Sequence, residues 1–199
     1  AERYVAWNLP FTPDNAKQAI LMFKGDVYQG LECADWRGPD FTFAQKHLRI
    51  LSGLYGILRP LDLIQAYRLE MGTKLKTKRG KDLYEFWGDS IAEHINDALS
   101  DMKIEGEYLV NLASNEYFGS VRKKVFNAAV ITPVFKDEKN GKFKVISFFA
   151  KRARGMMADY IIRNKVTDPR DLRSFGGGGY RYDAGESKEG TLVFLRDEK

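Results

Sequence analysis

The segment around Gly53 and Gly56 constrains the fold of this chain more than any other. A helically spaced apolar run ends in this Gly-x-x-Gly turn, and Arg59 and Pro60 then open a second apolar run. The pattern predicts two helices joined by a glycine hairpin. Such a turn would aim backbone N–H groups at the positive end of the second helix, which suits a phosphate. The same spacing also fits an ordinary helix–helix corner packed in a core, so both interpretations stay open at this point.

Length and composition favour a folded domain in a reducing compartment. The chain has 199 residues, of which 44% are hydrophobic, so it can bury a real core. We expect a single domain over residues 1–199, or two closely packed lobes. Cys33 is the one cysteine, which excludes an internal disulfide framework. Because the chain opens on Ala1 without a methionine, we also expect that its natural N-terminal segment is missing.

Basic side chains cluster along the chain. The net charge is +5, but residues 120–173 hold 14 basic side chains against 5 acidic ones. A second basic run contains no acid at all: Lys74, Lys76, Lys78, Arg79 and Lys81. Clusters of this kind raise the local potential and favour polyanions such as nucleic acid, although many are only solvated faces.

Local patterns predict helices in the first half of the chain. Thr12-Pro13 has the chemistry of a helix start. Residues 82–99 give the clearest amphipathic helix, with Asp82 in its favourable first turn. Residues 108–113 have the pattern of a short apolar strand, and Ser114, which follows it, is typical of a helix N-cap.

The residue pattern in the second half of the chain predicts a β sheet. Residues 130–149 consist of two apolar strands joined by Asn140-Gly141, a strong hairpin signal. The second of these strands is apolar on both faces near its end, so we expect it to be central and covered. A helix over residues 151–165, a short helical turn at Asp168-Pro169 and a strand pair over residues 180–195 follow. The predicted fold class is α/β (mixed α+β), a single compact domain with a mixed sheet, flanking helices and the helix-hairpin-helix-like element.

Several chemistries have no matching pattern in the sequence. His47, His94 and Cys33 are far apart and lack zinc-ligand spacing, and no metal or cofactor is expected. Motifs of the P-loop, the dinucleotide-binding turn and the nucleophile elbow are missing. The run Gly176–Gly179 lacks a following helix signal and is interpreted as a flexible loop.

One candidate site lies at Ser114-Asn115-Glu116-Tyr117, where a predicted strand meets a helix. Ligand sites gather at the carboxyl ends of strands in α/β sheets, and this position offers a hydroxyl, an amide, a carboxylate and a phenol. The alternative is a plain helix cap with Tyr117 packed inside.

A second candidate site is basic: Lys151, Arg152 and Arg154 follow the predicted central strand and fall in the first turn of a predicted helix. Cations there oppose the helix dipole, so an anion nearby would stabilise them. Either a bound phosphate or an acidic residue of the protein itself fits this requirement.

Several of these segments together resemble the YaaA peroxide-stress protein family. The resemblance runs from about Phe11 to the C-terminus and rests on motifs in the family's order: Leu51-Ser52-Gly53-Leu54-Tyr55-Gly56, Arg59-Pro60-Leu61-Asp62, Tyr67-Arg68-Leu69-Glu70-Met71-Gly72, Asn111-Leu112-Ala113-Ser114, Glu116-Tyr117 and Ala150-Lys151-Arg152-Ala153-Arg154-Gly155. Family members usually carry an N-terminal Ser-Pro-Ala-Lys-Thr motif, which this sequence lacks.

The resemblance implies a cytoplasmic bacterial protein that limits peroxide damage and is associated with low free iron. It also implies DNA binding through a positively charged cleft and a helix-hairpin-helix-like element, which maps onto residues 52–60. We therefore predict a protein that binds the DNA backbone largely without sequence preference, with Tyr55 stacking on a distorted or unpaired base. The predicted DNA-binding residues are Gly53, Leu54, Tyr55, Gly56, Arg59, Lys74, Lys76, Lys78, Arg79, Lys81, Arg122, Lys123, Lys124, Lys151, Arg152 and Arg154.

An enzyme acting on a nucleobase, a nucleotide or nucleic acid is the competing interpretation. Its candidate catalytic residues are Ser114, Glu116, Tyr117, Lys151 and Arg154, with Glu116 or Tyr117 as general acid or base and Lys151 or Arg154 holding an anion. A protein that sequesters iron ranks last, because the sequence contains no ligand cluster. We expect no membrane partner, and a monomer is favoured.

Overall fold

Helices and strands alternate along the chain, as the local patterns predict. A computed structural model describes residues 7–102 and 108–198. The helices are α1 (Ala19–Met22), α2 (Asp26–Leu31), α3 (Gly38–His47), α4 (Leu83–Trp87), α5 (Ser90–Met102), α6 (Asn115–Phe118) and α7 (Ser147–Arg163). The strands are β1 (Lys17–Gln18), β2 (Ile50–Ser52), β3 (Gly56–Leu58), β4 (Leu63–Ile64), β5 (Tyr108–Val110), β6 (Ala129–Lys139), β7 (Lys142–Lys144), β8 (Arg181–Lys188) and β9 (Thr191–Arg196). The predicted mixed α/β class is confirmed.

The chain divides into two compact units. The first comprises the described residues of segments 1–22, 45–108 and 113–128, and the second those of segments 23–44, 109–112 and 129–199. The single domain over residues 1–199 stays a prediction. The segment Ala1–Tyr4, on which the expectation of a missing N-terminal segment depends, lies outside the described residues.

A mixed five-stranded sheet organises the second unit. Its strand order is β5-β6-β9-β8, with β7 paired to β6. β6 and β9 run parallel, and β8 and β9 form the predicted antiparallel pair. Four consecutive residues of β9, Leu192–Leu195, are buried because this strand lies between two others and is covered on both faces. α7 packs its small and flexible residues against the core around Phe135 and Phe194.

The predicted hairpin over residues 130–149 is correct at its turn and wrong in its second strand. Asn140 and Gly141 both have positive φ, as a two-residue hairpin turn requires, and join β6 to β7. β7 ends at Lys144 and lies at the edge of the sheet, so it is neither central nor covered. Phe148 and Phe149, which suggested a buried strand, belong to α7, and this helix begins at Ser147 rather than at Lys151.

Several helix starts that the sequence predicts from capping residues are confirmed. Asp82 accepts a hydrogen bond from the Glu85 N–H at the start of α4, and Asp168 caps the short 3-10 helix Pro169–Ser174. The predicted helix over residues 82–99 is divided in two, because Gly88 adopts a φ of 55° between α4 and α5. The helix expected from Thr12 is limited to α1, since the Thr12 carbonyl only closes a turn with the N–H groups of Asn15 and Ala16.

The segment of the expected helix-hairpin-helix contains a β hairpin. β2 and β3 pair antiparallel, with Ile50 opposite Leu58 and Ser52 opposite Gly56. Burial alternates along β2 with a period of two, which places Ile50 and Ser52 on the inner face. The helical period stops at His47, where α3 ends. The prediction of two helices around this turn is therefore wrong.

Candidate functional site

The glycine turn of the β2–β3 hairpin is packed inside the first unit. The Tyr55 N–H donates to the Ser52 hydroxyl over 2.9 Å, so this amide points back into the protein. A Cβ added at Gly53 would lie 2.4 Å from the Leu69 carbonyl oxygen, and one at Gly56 would lie 2.7 Å from the Trp87 ring. Gly56 has a φ of 73°, which confirms that this position favours glycine. The turn is packed, as the second interpretation expects, but it joins two strands rather than the two helices that both interpretations assume.

Tyr55 belongs to an internal aromatic cluster. Its ring stacks on Trp7 with centroids 5.9 Å apart, and its edges meet Phe11 and Tyr67. Its hydroxyl donates to the Gln65 carbonyl and accepts from the Gln65 N–H. These contacts use both the ring and the hydroxyl, so the predicted stacking of Tyr55 on a DNA base has no support from the geometry.

The basic run of residues 74–81 lies on the surface of the first unit. Lys78 and Arg79 form the tip of a tight turn that Thr77 and Gly80 close through backbone hydrogen bonds. The Arg79 guanidinium lies 4.6 Å from the centroid of the Phe86 ring, which orients it without neutralising it. Lys74, Lys76 and Lys78 are exposed, and none of the described residues forms an ion pair with them.

α4 connects this turn to the second basic run. Lys81 binds Glu85 at 3.0 Å, while Arg122 binds Asp89, the residue two positions after the end of α4, also at 3.0 Å. The pKa of Glu85 is lowered, first by hydrogen bonds from Lys81 and also by the positive charge of Arg122. Both basic runs therefore lie beside the same short helix.

The cations of this region separate into paired and unpaired groups. Lys81, Arg122 and Arg59 each have a carboxylate partner, which for Arg59 is Asp62 at 3.1 Å. Lys123 and Lys124 are exposed and have no ion-pair partner among the described residues. We call the unpaired cations of these two basic runs the basic surface: Lys74, Lys76, Lys78, Arg79, Lys123 and Lys124.

The predicted basic site of the second unit differs from its expected geometry. Because α7 begins at Ser147, Lys151, Arg152 and Arg154 lie beyond its first turn, and the expected conflict with the helix dipole does not arise there. Lys151 is within 3.6 Å of Asp26, an acidic residue of the protein itself. Arg152 is exposed. Arg154 is partly buried, and burial lowers the pKa of its guanidinium.

The site at Ser114–Tyr117 is a helix cap that also holds a polar cluster. Ser114 accepts a hydrogen bond from the Tyr117 N–H, which confirms the cap. The Glu116 carboxylate accepts the Gly72 N–H at 2.8 Å, and the Tyr117 hydroxyl donates to the Glu70 carboxylate at 2.8 Å. Burial and the Glu70 hydrogen bond raise the pKa of Tyr117, so this phenol stays protonated at neutral pH.

Sequence reasoning missed the partners of this cluster. Glu70 lies 47 residues before Tyr117, and the Ser52 hydroxyl meets the Tyr67 hydroxyl at 2.5 Å. Tyr67 also contributes to the raised pKa of Tyr117. The available signal was the occurrence of Ser52, Tyr67, Glu70 and Tyr117 in the motifs that carry the family resemblance.

The five candidate catalytic residues are divided between the units. Ser114, Glu116 and Tyr117 belong to the first unit, and Lys151 and Arg154 belong to the second. His94 forms a hydrogen bond with the carbonyl of Ser90 one turn earlier on α5. Gly177–Gly179, expected as part of a flexible loop, form a 3-10 turn.

Metal clusters and membrane-spanning helices are both missing from the described part of the chain. Residues 7–102 and 108–198 contain no group of three or more His, Cys, Asp or Glu side chains that could hold a metal ion. Over the same residues, every helix is too short or too polar to cross a membrane.

The model of one protein family matches nearly the whole chain. That family is described as peroxide stress protein YaaA, and the match covers residues 1–186. It includes every motif on which the sequence resemblance depends, from the β2–β3 hairpin to α7. The chain therefore belongs to the YaaA family of peroxide stress proteins.

Proposed function

We propose that this peroxide stress protein binds the phosphate backbone of cytoplasmic DNA, largely without sequence preference, and thereby protects DNA from iron-linked oxidative damage. The observation that carries the proposal is the basic surface of the first unit, whose six cations have no ion-pair partner among the described residues. Unpaired exposed cations can neutralise phosphates and release counterions without first breaking an internal ion pair.

The arrangement of the basic surface favours contacts to the backbone rather than to base edges. Lys74, Lys76 and Lys78 occupy alternate positions of the chain and are all exposed, and Lys78 lies at the tip of the turn closed by Thr77 and Gly80. Lysine binds phosphate as a point charge and carries no fixed pattern of donors that would select a base. Affinity from such contacts depends strongly on salt and weakly on sequence.

The surroundings of Cys33 disfavour a reaction of its thiol with peroxide. Cys33 is partly buried, and its pKa is raised first by burial and also by the negative charge of Asp159. Peroxide reacts with the thiolate, and a raised pKa keeps the thiolate population small at neutral pH. Protection by DNA binding accounts for a role in peroxide stress without requiring thiol chemistry.

A charge-reversal experiment tests the proposal. The double variant Lys76→Glu/Lys78→Glu should weaken binding to a duplex oligonucleotide by more than about tenfold at moderate salt, because it removes two backbone contacts and adds repulsion. Lys17→Glu/Lys188→Glu is the matched control, since it changes the net charge equally at exposed positions outside the basic surface. Equal losses of affinity in both variants would show that net charge alone drives binding, and would refute the assignment of the basic surface.

A second candidate function is enzymatic, and the Glu70–Tyr117 pair favours it. The Glu70 carboxylate can accept a proton from a nucleobase or a nucleotide that the Tyr117 hydroxyl holds beside it. Mass spectrometry of nucleotides and oligonucleotides incubated with the protein would detect such a reaction. If Tyr117→Phe and the wild-type protein leave every substrate equally unchanged, this candidate is eliminated.

A further inference from the structure

Two exposed phenylalanines lie together at the start of α7. Phe148 retains 52% of its surface exposed and Phe149 retains 40%, and their ring centroids are 5.8 Å apart. Val145, immediately before the helix, is 53% exposed. No other phenylalanine or tryptophan among residues 7–102 and 108–198 is exposed to this degree. Contiguous exposed apolar side chains mark binding surfaces more often than isolated ones do.

The packing of α7 explains why these rings face solvent. Ala150, Ala153 and Met157 are buried and form the stripe that packs against the core of the second unit. Phe148 and Phe149 lie in the first turn of α7, before this stripe, and both stay exposed there. Their exposure is thus a property of a well-packed helix rather than of a loop.

Cations precede and follow the aromatic pair along the chain of the second unit. Lys151 and Arg152 follow Phe148 by three and four residues, the spacing that brings side chains onto one face of a helix. Lys142 and Lys144 are exposed on the edge strand β7, four to seven residues before the rings. No acidic partner of Lys142, Lys144 or Arg152 occurs among the described residues.

Arg196 holds one of the two rings in place. Its guanidinium lies 4.8 Å from the centroid of the Phe149 ring and binds the buried Asp137 carboxylate at 2.6 Å. The Arg196 side chain therefore fixes the position of the Phe149 ring. The more exposed Phe148 ring contacts Phe149.

We propose that Phe148 and Phe149 form a stacking platform for unpaired bases of single-stranded or locally opened DNA. We define the platform as Val145, Phe148 and Phe149, flanked by Lys142, Lys144 and Arg152, which neutralise the adjoining phosphates. Aromatic rings beside unpaired cations match the chemistry of single-stranded DNA. Each unpaired base presents a π-face that can stack on a ring, and each phosphate between nucleotides carries a negative charge. The bases of an intact duplex are already stacked on each other. This inference deepens the proposed DNA binding and rests on it.

The charges also argue against a second copy of the chain as the occupant. A symmetric dimer would bring the same patch of both copies together. Lys142, Lys144 and Arg152 would then face their own equivalents, and like charges across an interface oppose association. A single strand instead supplies the opposite charge.

The test compares single-stranded and duplex oligonucleotides of the same sequence. Phe148→Ala should weaken binding of the single strand about fivefold or more, the loss expected for one base–aromatic stack, and leave duplex binding within about twofold. Phe148→Trp should restore single-strand binding, because the larger ring also stacks. Leu9→Ala, at an exposed apolar residue of the first unit, is the control and should change neither affinity. A 2-aminopurine base in the single strand should be quenched by the wild-type protein and by Phe148→Trp, but not by Phe148→Ala.

The outcomes separate this inference from the proposed function. If Phe148→Ala binds the single strand as tightly as wild type while the duplex still binds through the basic surface, the platform is refuted and the proposed function stands. If the wild-type protein binds neither oligonucleotide, both fail. If sedimentation shows a wild-type dimer that Phe148→Ala converts to a monomer, with unchanged single-strand affinity, the platform is a self-association surface and the inference is overturned.

Discussion

Replacing Gly56 with alanine should destabilise the first unit without specifically impairing DNA binding. The backbone of Gly56 is left-handed, and holding a side chain there costs about 1–2 kcal/mol. The new Cβ would lie 2.7–2.9 Å from three carbons of the Trp87 ring, a clash that adds about 1–3 kcal/mol as overpacking. Displacing Trp87 would also strain its 3.0 Å hydrogen bond to the Gly53 carbonyl. The total loss is on the order of 2–5 kcal/mol in free energy of unfolding.

Gly141→Ala is the matched control, because it separates backbone strain from the clash. Gly141 also has a positive φ, of 70°, but a Cβ there meets nothing within 4 Å. Urea unfolding followed by circular dichroism gives the free energy for both variants, and Trp fluorescence reports on Trp87. We expect Gly56→Ala to lose at least about 1 kcal/mol more than Gly141→Ala, and its folded fraction to bind DNA normally. Equal losses in the two variants, or a stable Gly56→Ala protein with weakened DNA binding, would refute this reasoning.

Three further predictions concern the second unit. Gly155→Ala should prevent stable packing of α2 on α7, because its Cβ would lie 1.9 Å from the Val27 carbonyl oxygen, so the variant should show a large loss of stability or fail to express as a folded protein. Asp137→Ala should cost about 3–5 kcal/mol in urea unfolding, since it leaves the partly buried Arg196 without its counter-charge. Burial and the Asp137 hydrogen bonds raise the pKa of Tyr180, so its contribution to stability is complete below pH about 10 and is lost as the pH rises through the folded-state pKa. Tyr180→Phe should flatten this alkaline loss in unfolding curves measured across that pH range, and an unchanged alkaline loss would contradict the assignment.

The parts of the fold that depend on neighbouring residues were predictable from the sequence. The caps at Asp82, Ser114 and Asp168 and the Asn140-Gly141 turn all depend on side-chain or backbone chemistry within three residues. The β2–β3 hairpin was not predictable in this way. Its apolar run is so short that it fits the spacing of apolar residues in a helix as well as in a strand. The Trp87 ring that packs over Gly56 comes from 31 residues further along the chain.

The candidate site shows the same limit. The positions of the basic runs followed from the sequence, but which cations are unpaired depends on Asp89 and Glu85 and on the path of the chain around α4. Phe148 and Phe149 end an apolar run that is typical of a buried strand. They are exposed because α7 begins at Ser147, four residues earlier than the sequence predicts, and includes them in its first turn. The local sequence pattern therefore decided neither outcome.

The most direct test of the central claim is the salt dependence of duplex binding, measured by fluorescence anisotropy at several salt concentrations. If the basic surface neutralises phosphates, the logarithm of the association constant should fall linearly with the logarithm of salt concentration, with a slope of about −0.9 for each phosphate contacted. Lys76→Ala/Lys78→Ala should make this slope shallower by about 2, and a change of base sequence should leave it unaltered. A flat salt dependence in the wild-type protein, or the same slope in the double variant, would contradict DNA binding through the basic surface.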